Sequence, residues 1–398
     1  MMAKEKKKVP NLRFKGFTDD WEQRKLGEVA EFYNGDRGPN YPKPSEIVEQ
    51  GVPFINAGDL INGHIDYHNC KHITSDKFNQ LNGAKLKIND IVYCLRGTIG
   101  KNGLVNSDAN ATIASSLVCI RPVKLRPLFL FQLLNSSIEE RQRKMVDEGA
   151  AQPNISATNL KKFLIPVPND NEQEKIGEVF SKLNHLITLQ QRKLEQLKQL
   201  KKAMLQQLFV DKNNKQPILK FKNFRNNWRE YKLGEIVNLE DNKRKPVKAT
   251  ERMRGEIPYY GANGIQDYVK GYTHIGKHVL IAEDGANSVD DYPIYFISSP
   301  SWINNHTHVL TAKQEILSSE FLSYALKKIN YAKYLVGSGR YKLNAEILKL
   351  IPLQIPTMNE QKNIEINLSK IDKLISLQQN KLTQLTTLKK YLLQKMFI

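Results

Sequence analysis

The sequence contains little cysteine and no long apolar run. Its three cysteines, Cys70, Cys94 and Cys119, include no CxxC pair, and an odd number cannot all pair, so we expect no disulfide scaffold. The most apolar stretch, Leu128 to Leu134, spans seven residues, whereas a membrane-spanning helix needs roughly 18 or more. The Lys-rich first nine residues are not followed by the apolar segment of a signal peptide. We therefore expect a cytoplasmic protein with no membrane partner.

Acidic residues are the other deficit. The 398 residues include 60 Lys and Arg but only 41 Asp and Glu, which gives a formal charge of +19 at pH 7. Apolar residues make up 40% of the chain, which is enough to form cores, so the excess charge lies on a folded surface. This length allows two or three domains. A folded basic chain of this kind predicts a polyanionic partner such as nucleic acid.

The sequence repeats itself. The segment 10–28 recurs at 217–235 with a constant offset of 207 residues. A second shared segment begins at Glu172 and again at Glu360, and the 38 residues that start at each are identical at 20 positions. The stretches between these shared ends agree poorly. We infer an internal repeat with shared ends and private middles.

Both copies of the second shared segment carry apolar residues at heptad spacing over about five heptads. A helix of this length extends ~57 Å, so we expect two long spacer helices that pair antiparallel. The residues predicted to pair are Leu183, Ile187, Gln190, Leu194 and Leu197 in the first helix and Ile371, Ile375, Gln378, Leu382 and Leu385 in the second. The mid-helix glutamines would meet in a polar layer that fixes the register. The alternatives are solvent-exposed glutamines and an ordinary core stripe.

The private middles, about residues 28–160 and 235–348, predict two small mixed domains, because short β-rich runs and Gly or Asn turns precede a helical stretch in each. Basic residues there are interleaved with aromatic and amide side chains, which suit contacts with phosphates and base edges. The residues predicted to bind DNA are Arg37, Lys43, Lys71, Arg96, Lys101 and Asn102 in the first middle and Lys243, Arg244, Lys245, Lys248, Arg252, Arg254, Tyr272, Arg340, Tyr341 and Lys342 in the second. A solvated charged face is the alternative for any one lysine.

Catalytic signatures are incomplete. The segment Gly97 to Lys101 is similar to a phosphate-binding loop, but Leu95 stands where the first glycine is required and Asn102 replaces the Ser or Thr. We expect a turn at this place.

Two clusters of ligand-type residues are the remaining candidates, namely His64, His68, Cys70 and His72, and Glu283, Asp284, Asp290 and Asp291. The first cluster falls within nine residues, which leaves little room for the loop of a structural zinc site. The acids have no counterpart in the first half of the chain, so a duplicated active site is excluded and turn positions are expected. We expect no bound metal and no catalytic residue.

The order and duplication of the shared segments resemble the specificity subunits of type I restriction-modification enzymes. The resemblance covers nearly the whole chain. It is carried by the repeated segments 10–28 and 217–235, by Ile165–Pro168 and Leu353–Pro356 with the Glu-Gln pair that follows each, and by two long helices that end in Leu-Phe and Met-Phe.

This resemblance implies that two target-recognition domains each bind one half of a split site in double-stranded DNA. The long helices would separate these domains and dock two methyltransferase subunits, and restriction subunits with translocase and nuclease activity would join them. S-adenosylmethionine, ATP and magnesium would be used by those partners, with no cofactor on this chain. The target would be asymmetric, because the two middles differ.

The expected fold class is α+β, with two small mixed α/β target-recognition domains joined by two long antiparallel coiled-coil helices and an internal pseudo-two-fold repeat. The expected ranges are 1–168 for the first recognition domain, 169–210 for the first spacer helix, 211–216 for a linker, 217–356 for the second recognition domain and 357–398 for the second spacer helix. Two rival functions remain open. One is a self-contained nuclease or methyltransferase fused to a coiled coil, and the other is a coiled-coil adaptor for acidic proteins.

Overall fold

A computed structural model describes residues 9–107, 110–146, 154–210, 214–224, 226–337 and 341–397. The chain divides into two compact units, Met1–Gln191 with Asn380–Ile398 and Arg192–Gln379. These units differ from the expected ranges, which treat each long helix as a separate segment. Each helix is divided between the units because its two ends belong to different hydrophobic cores.

The first unit is mixed α/β. Its elements are β1 (Glu22–Lys25), α1 (Leu26–Val29), β2 (Ala30–Asn34), β3 (Ile47–Val48), β4 (Val52–Ile55), β5 (Leu60–Ile61), β6 (His64–Ile65), β7 (Lys71–Ile73), α2 (Ser75–Gln80), β8 (Ile91–Cys94), β9 (Asn102–Leu104), β10 (Thr112–Ile113), β11 (Leu117–Pro122), α3 (Pro127–Leu133), α4 (Ser137–Met145), α5 (Ala157–Lys161), β12 (Leu164–Val167) and the first part of the long helix α6 (Asp170–Gln207).

The strand order of the central sheet is β2-β11-β8-β9, with antiparallel pairing throughout. Strands β8 and β11 are almost wholly apolar, because both of their faces are buried. A second sheet has the order β10-β4-β7-β3, in which β10 and β4 are parallel. Strand β1 pairs antiparallel with β12, which brings the shared segment 10–28 beside the start of α6.

Four aromatic rings form the centre of the first unit. The Trp21 ring centroid lies 6.0 Å from that of Phe129 and 6.3 Å from that of Phe397. Phe180 of α6 lies 6.1 Å from Phe397. Edge-to-face pairs of this kind add ~0.5–1.5 kcal/mol each beyond the burial of their area. The core of the first unit therefore depends on a residue from the far end of the sequence.

The second unit has the same plan. Its elements are the second part of α6, β13 (Arg229–Lys232), α7 (Leu233–Ile236), β14 (Val237–Leu239), β15 (Arg254–Gly261), β16 (Gly264–Val269), β17 (His278–Ala282), β18 (Ile294–Ile297), β19 (Trp302–Ile303), β20 (Thr307–Ala312), α8 (Ser319–Leu326), α9 (Ala345–Leu350), β21 (Pro352–Ile355) and the long helix α10 (Met358–Lys395), whose last part belongs to the first unit.

The central sheet of the second unit has the order β14-β20-β17-β18, beside a sheet of order β16-β15-β19 and a β13-β21 ribbon. Its aromatic centre repeats that of the first unit. The Phe209 ring lies 5.3 Å from Phe321 and 6.0 Å from Trp228. Phe209 and Trp228 are the repeat equivalents of Phe397 and Trp21. The expected repeat is thus present in the core as well as in the sequence.

A backbone hydrogen bond also repeats between the units. In the first unit the Leu12 N–H donates to Lys395 O at 2.9 Å, and in the second the Leu219 N–H donates to Gln207 O at 2.9 Å. The repeat offsets relate Leu12 to Leu219 and Lys395 to Gln207. Each bond joins the segment before a β1-type strand to the end of a long helix.

Helices α6 and α10 are each 38 residues long and lie inside the expected ranges 169–210 and 357–398. Each residue that was predicted to pair, from Leu183 to Leu197 and from Ile371 to Leu385, is buried or half-buried, while the positions between them are mainly exposed. The heptad pattern therefore identifies the buried stripe. No helix in the described part of the chain is long and apolar enough to cross a membrane.

Contacts within the second unit give the relative direction of its two helix segments. Lys201 Nζ of α6 lies 2.5 Å from Asp372 Oδ1 of α10. Leu208, directly after the end of α6, shares the hydrophobic core with Ile364 of α10. Residue numbers rise along one segment as they fall along the other, so the two segments run antiparallel in this unit.

Candidate nucleic-acid interface

A buried carboxylate holds the base of the first unit together. The two oxygens of Glu172 accept hydrogen bonds from Arg13 at 2.7 and 2.8 Å, and Oε2 also accepts one from Trp21 Nε1 at 3.2 Å. The Glu172 side chain is only 1% exposed. A bidentate pair in such surroundings is strong, so this contact fixes the segment before β1 to the start of α6.

The second unit has the same carboxylate without its arginine. Trp228 Nε1 donates to Glu360 Oε1 at 3.3 Å, but the repeat places Lys220 at the position of Arg13, and Lys220 is exposed. Burial raises the pKa of Glu360, although the Trp228 hydrogen bond opposes that change. The sequence repeat includes both the tryptophan and the Glu-Gln pair, but the hydrogen bond between the tryptophan and the glutamate is seen only in the structure.

The glutamine of the repeated Glu-Gln pair forms a hydrogen bond with the backbone just before α3 in the first unit and just before α8 in the second. In the first unit, Gln173 Oε1 accepts from the backbone N–H of Arg126 at 3.0 Å and Nε2 donates to Pro168 O at 2.9 Å. In the second unit, Gln361 Oε1 accepts from the Ser318 N–H at 2.9 Å. These bonds set α3 and α8 against the long helices, so the shared ends support the private middles.

Arg37 and Arg96 line one groove of the first unit, with a volume of about 460 Å³. Arg96 follows β8 and pairs with Asn154 in an isolated antiparallel bridge. Arg37 Nη2 donates to Ser115 O at 3.3 Å. Both arginine side chains are exposed. The fold thus joins two of the predicted DNA contacts in one concave, positively charged surface, which we call the first arginine groove.

The predicted lysines of the first unit differ in accessibility. Lys43 and Lys71 are exposed. Lys101 is half-buried, and its Nζ donates to Ala57 O at 2.7 Å. Lys101 therefore has a partner within its own domain, whereas the other two lysines are accessible to a ligand.

Asn102 is not available to DNA, which corrects the prediction for this residue. Its side chain is 4% exposed. Nδ2 donates to Gly100 O at 2.9 Å, and Oδ1 accepts from Asn135 Nδ2 at 2.9 Å. Because β9 packs within the core of the unit, this carboxamide supports the turn before it and the end of α3.

Arg252 and Arg254 line a groove of about 490 Å³ in the second unit, together with Asp267 and Tyr268. The Arg252 guanidinium lies 4.1 Å from the Tyr259 ring centroid, and its Nη1 lies 3.5 Å from Asp267 Oδ2. Stacking of this kind fixes the guanidinium plane. Arg254 is exposed. We call this surface the second arginine groove.

The other predicted residues of the second unit lie outside this groove. Those with exposed side chains are Lys243, Lys245, Lys248, Tyr272, Tyr341 and Lys342. Lys243 forms an ion pair with Glu240 at 2.5 Å. Arg340 lies outside the described residues.

Arg244 takes part in an ion-pair network instead of facing a ligand. Its guanidinium lies 2.7 Å from Glu283 and 3.4 Å from Asp241, and its side chain is 15% exposed. His308 Nδ1 contacts Asp241 at 2.6 Å, and Lys342 Nζ lies 3.2 Å from Glu283. Burial raises the pKa of Asp241, but the His308 hydrogen bond contributes to a net lowering. The prediction of Arg244 as a DNA contact is therefore corrected, whereas Glu283 lies in a bend directly after β17, as expected of a turn acid.

Asp241, Glu283 and His308 also place three potential metal ligands within 4.8 Å of one another. Arg244 and Lys342 already neutralise these carboxylates, and a cation would have to displace them. We assign the cluster a structural role, because its charges are paired within the protein.

The remaining candidates form local structure. No grouping of potential metal ligands in the described ranges includes His64, His68, Cys70 or His72. Burial raises the pKa of Cys70. The expected turn at Gly97 to Lys101 is present, with φ of 77° at Gly97 and 86° at Gly100, a region that favours glycine.

Exposed leucines repeat on the two long helices. They are Leu186, Leu189 and Leu388 in the first unit and Leu374, Leu377 and Leu200 in the second. The repeat offset of 188 residues relates the first set to the second, one residue to one residue. We call these sets the first and second leucine patches. Sequence reasoning missed them, because the heptad pattern identifies only the buried face of each helix.

Comparisons with known proteins agree with this architecture. A family model described as the type I restriction modification DNA specificity domain matches residues 18–199 and 225–387. A putative type I restriction enzyme specificity subunit of Haemophilus influenzae is 47% identical over 132 residues, which are 33% of this chain and 34% of that protein. The chain spans 34% to 46% of the length of the first three curated relatives it matches.

Two other relatives cover almost the whole chain. A putative specificity subunit of Methanocaldococcus jannaschii is 24% identical over 94% of this chain and 91% of its own length. The crystal structure of a type I restriction-modification S subunit from M. genitalium has the same fold, with a TM-score of 0.73, 20% identity, and coverage of 98% of this chain and 99% of that chain.

The family model matches well over half of the sequence, once in each copy of the repeat. The chain therefore belongs to the type I restriction modification DNA specificity domain family. Curated relatives that match the chain are named specificity subunits, and the repeated family match agrees with the duplicated layout of shared ends and private middles.

Proposed function

We propose that this chain reads a bipartite, asymmetric site in double-stranded DNA, with one half-site for each unit. The observation that carries the proposal is the pair of arginine grooves, one in each repeat. Exposed guanidinium groups suit phosphates and guanine edges. The grooves are built from unrelated residues, so the two half-sites differ in sequence.

Salt dependence of DNA binding tests this proposal. We expect Arg37→Ala with Arg96→Ala, and separately Arg252→Ala with Arg254→Ala, to weaken binding and to lower the salt slope by about one for each phosphate that the variant no longer binds. Arg229→Ala is the control, because Arg229 is exposed in β13 and lines neither groove. Anisotropy measurements of the assembled complex on its target DNA provide the readout. Unchanged affinity in both double variants would contradict the proposal.

The leucine patches support a partner that binds in two copies. Exposed leucines at equivalent repeat positions offer the same surface twice, and apolar patches on a soluble chain mark interaction sites. The partner that the family implies is a methyltransferase subunit, which would use S-adenosylmethionine. Restriction subunits that use ATP and magnesium would join that core in the cytoplasm, where the host DNA lies.

Native mass spectrometry of the complex tests the two-copy partner. Leu186→Glu with Leu189→Glu alters only the first patch, so we expect loss of one methyltransferase copy and retention of the other. Leu164→Glu is the matched control, because Leu164 is exposed on β12, away from the patches. Retention of both copies by the patch variant would show that the patch does not dock this partner.

A further inference from the structure

A cavity of about 270 Å³ lies in the first unit between α3 and α6. We call it the Gln132 cavity. Its walls include Leu128 and Phe131 from α3 and Asn184 and Thr188 from α6. Among the described residues that line it there is no Asp, Glu, Lys or Arg. The lining also includes His64 and His185, which carry no fixed charge, so the cavity is suited to a neutral ligand rather than to a cation.

Two carboxamides line this cavity. Gln132 is 1% exposed, and its Oε1 has no hydrogen-bond partner in the described structure. Asn184 is half-buried and adds a second carboxamide to the wall. Buried polar groups are normally paired, and the unpaired Oε1 of Gln132 is enclosed by protein. A ligand in the cavity would pair with the amide after a turn about its soft terminal torsion.

The second unit shows that the cavity is a private feature of the first. The Arg126 and Ser318 N–H groups bond to equivalent glutamines, which relates α3 to α8 by 192 residues. Gln132 therefore corresponds to Tyr324, and the 188-residue offset of the long helices relates Asn184 to Asp372. Tyr324 Oη donates to Asp372 Oδ2 at 2.8 Å, and Lys201 pairs with the same carboxylate. The positions that line a cavity in the first unit are thus closed on one another in the second.

The size and chemistry of the cavity limit the ligand. Sites for drug-sized ligands usually measure ~300–1,000 Å³, so this cavity fits a single ring system. A carboxamide pairs through adjacent donor and acceptor atoms with adenine, and flat apolar walls such as Phe131 suit the face of a base. We propose that the Gln132 cavity binds an adenine ring, from a free nucleoside or from a nucleotide turned out of a DNA helix.

Calorimetric titration of the full chain with adenosine tests this site. We expect saturable one-to-one binding that Gln132→Leu and Asn184→Leu each weaken at least about tenfold, because each removes one carboxamide. Purine riboside, which lacks the amino donor and gains no other, should bind the unaltered chain at least about tenfold more weakly. Tyr324→Phe is the control, since it changes the equivalent position of the second unit and leaves the cavity intact.

Thermal unfolding of each variant distinguishes loss of the site from loss of the fold, and the purine riboside comparison requires no variant. Competition by a duplex with one unpaired adenine assigns the ring to DNA, while adenosine binding without competition assigns it to a free nucleoside. Either result supports the site. No saturable adenosine binding at millimolar concentration, equal affinity for purine riboside, or unaltered binding by both leucine variants would overturn the proposal. None of these results depends on the DNA half-sites proposed above.

Discussion

The two units share a core but differ where their domain helix meets a long helix. In the second unit, the hydroxyl of Tyr324 on α8 donates to Asp372 on α10, and Lys201 of α6 forms an ion pair with the same carboxylate at 2.5 Å. The Asp372 hydrogen bond and charge, after burial, help to raise the pKa of Tyr324 far above its usual value. Three elements are therefore tied together through one carboxylate.

The equivalent positions of the first unit are Gln132, Asn184 and Lys389. No carboxylate is present among these three, and burial lowers the pKa of Lys389. The first unit has its own buried ion pair elsewhere, between Arg13 and Glu172. The comparison teaches that a shared core tolerates different polar connections. The Arg13–Glu172 pair is buried in the first unit, whereas the Lys201–Asp372 pair of the second unit is partly exposed and lies at a different place.

The largest effect is expected when the second unit is removed, because only the first unit then remains. We expect a fragment of residues 1–213 to dimerise, because the two helix seams match and Phe209 of one copy is the equivalent of Phe397, which completes the first aromatic centre. A two-fold pair requires only that one surface complement itself. With the methyltransferase, the dimer should modify a palindromic site made of the first half-site and its inverted copy.

Methylation mapping of cells that express this fragment provides the measurement. Activity should rise with fragment concentration, because the covalent link no longer holds the two halves at high effective concentration. A motif that stayed asymmetric would show that the two units are not equivalent readers.

The next effect concerns the buried carboxylates. Arg13→Ala leaves Glu172 buried without its cation, and the loss of one partner of a buried pair costs about 3–5 kcal/mol. Lys220→Ala, at the equivalent position, should change the free energy of unfolding by less than about 0.5 kcal/mol, because Lys220 is exposed. Denaturant unfolding measures both. Equal losses would mean that the Arg13 contact is not a feature of the first unit alone.

A smaller effect is expected at the helix junction. Asp372→Asn removes the charge that Lys201 and Tyr324 share, which should destabilise the second unit by about 1–3 kcal/mol. Asn184→Asp introduces the same carboxylate into the first unit, so the pKa of Lys389 should rise. NMR titration of the lysine side chains reports that pKa, and Asn79→Asp, at an exposed position of α2 outside the Gln132 cavity, is the control. A drop in the Lys389 pKa would contradict the equivalence of the two junctions.

The smallest effect is one of pH. Since burial raises the pKa of Glu360, the folded state binds a proton more readily than the unfolded state. The second unit should therefore gain stability as pH falls through the raised pKa, and lose that gain at higher pH. Glu360→Gln should flatten this dependence in unfolding experiments on the full chain. The Glu172→Gln variant serves as the comparison, and an identical pH profile in both would argue against the burial effect.

Much of the architecture could be predicted from the sequence, because repetition and heptad spacing are local signals. Every residue predicted on the seam is buried or half-buried. The roles of individual polar residues were harder to predict. Asn102 and Arg244 are residue types that often contact ligands. In this structure, however, the Asn102 side chain bonds to Asn135 and the Arg244 side chain pairs with Glu283. Such outcomes depend on partners distant in sequence, which no local pattern specifies.

The division of each long helix between two cores was also beyond prediction. Heptad spacing shows which face of a helix is buried, but it does not show which domain covers each part. Phe397 illustrates the difference, because its partners Trp21 and Phe129 lie more than half the chain away. The Gln132 cavity could not be predicted either, because it is present only where Gln132 and Asn184 do not form the contact that Tyr324 and Asp372 form in the second unit.

The repeated backbone hydrogen bond at the end of each long helix shows where covalent continuity of the chain is and is not needed. In the second unit, the bond from Leu219 to Gln207 spans a short covalent linker, whereas the bond from Leu12 to Lys395 in the first unit joins residues from opposite ends of the sequence. A covalent link between the two bonded segments is therefore not required for this hydrogen bond to form. A circular permutant that links residue 397 to residue 9 and opens at 211–213 should keep both of these bonds.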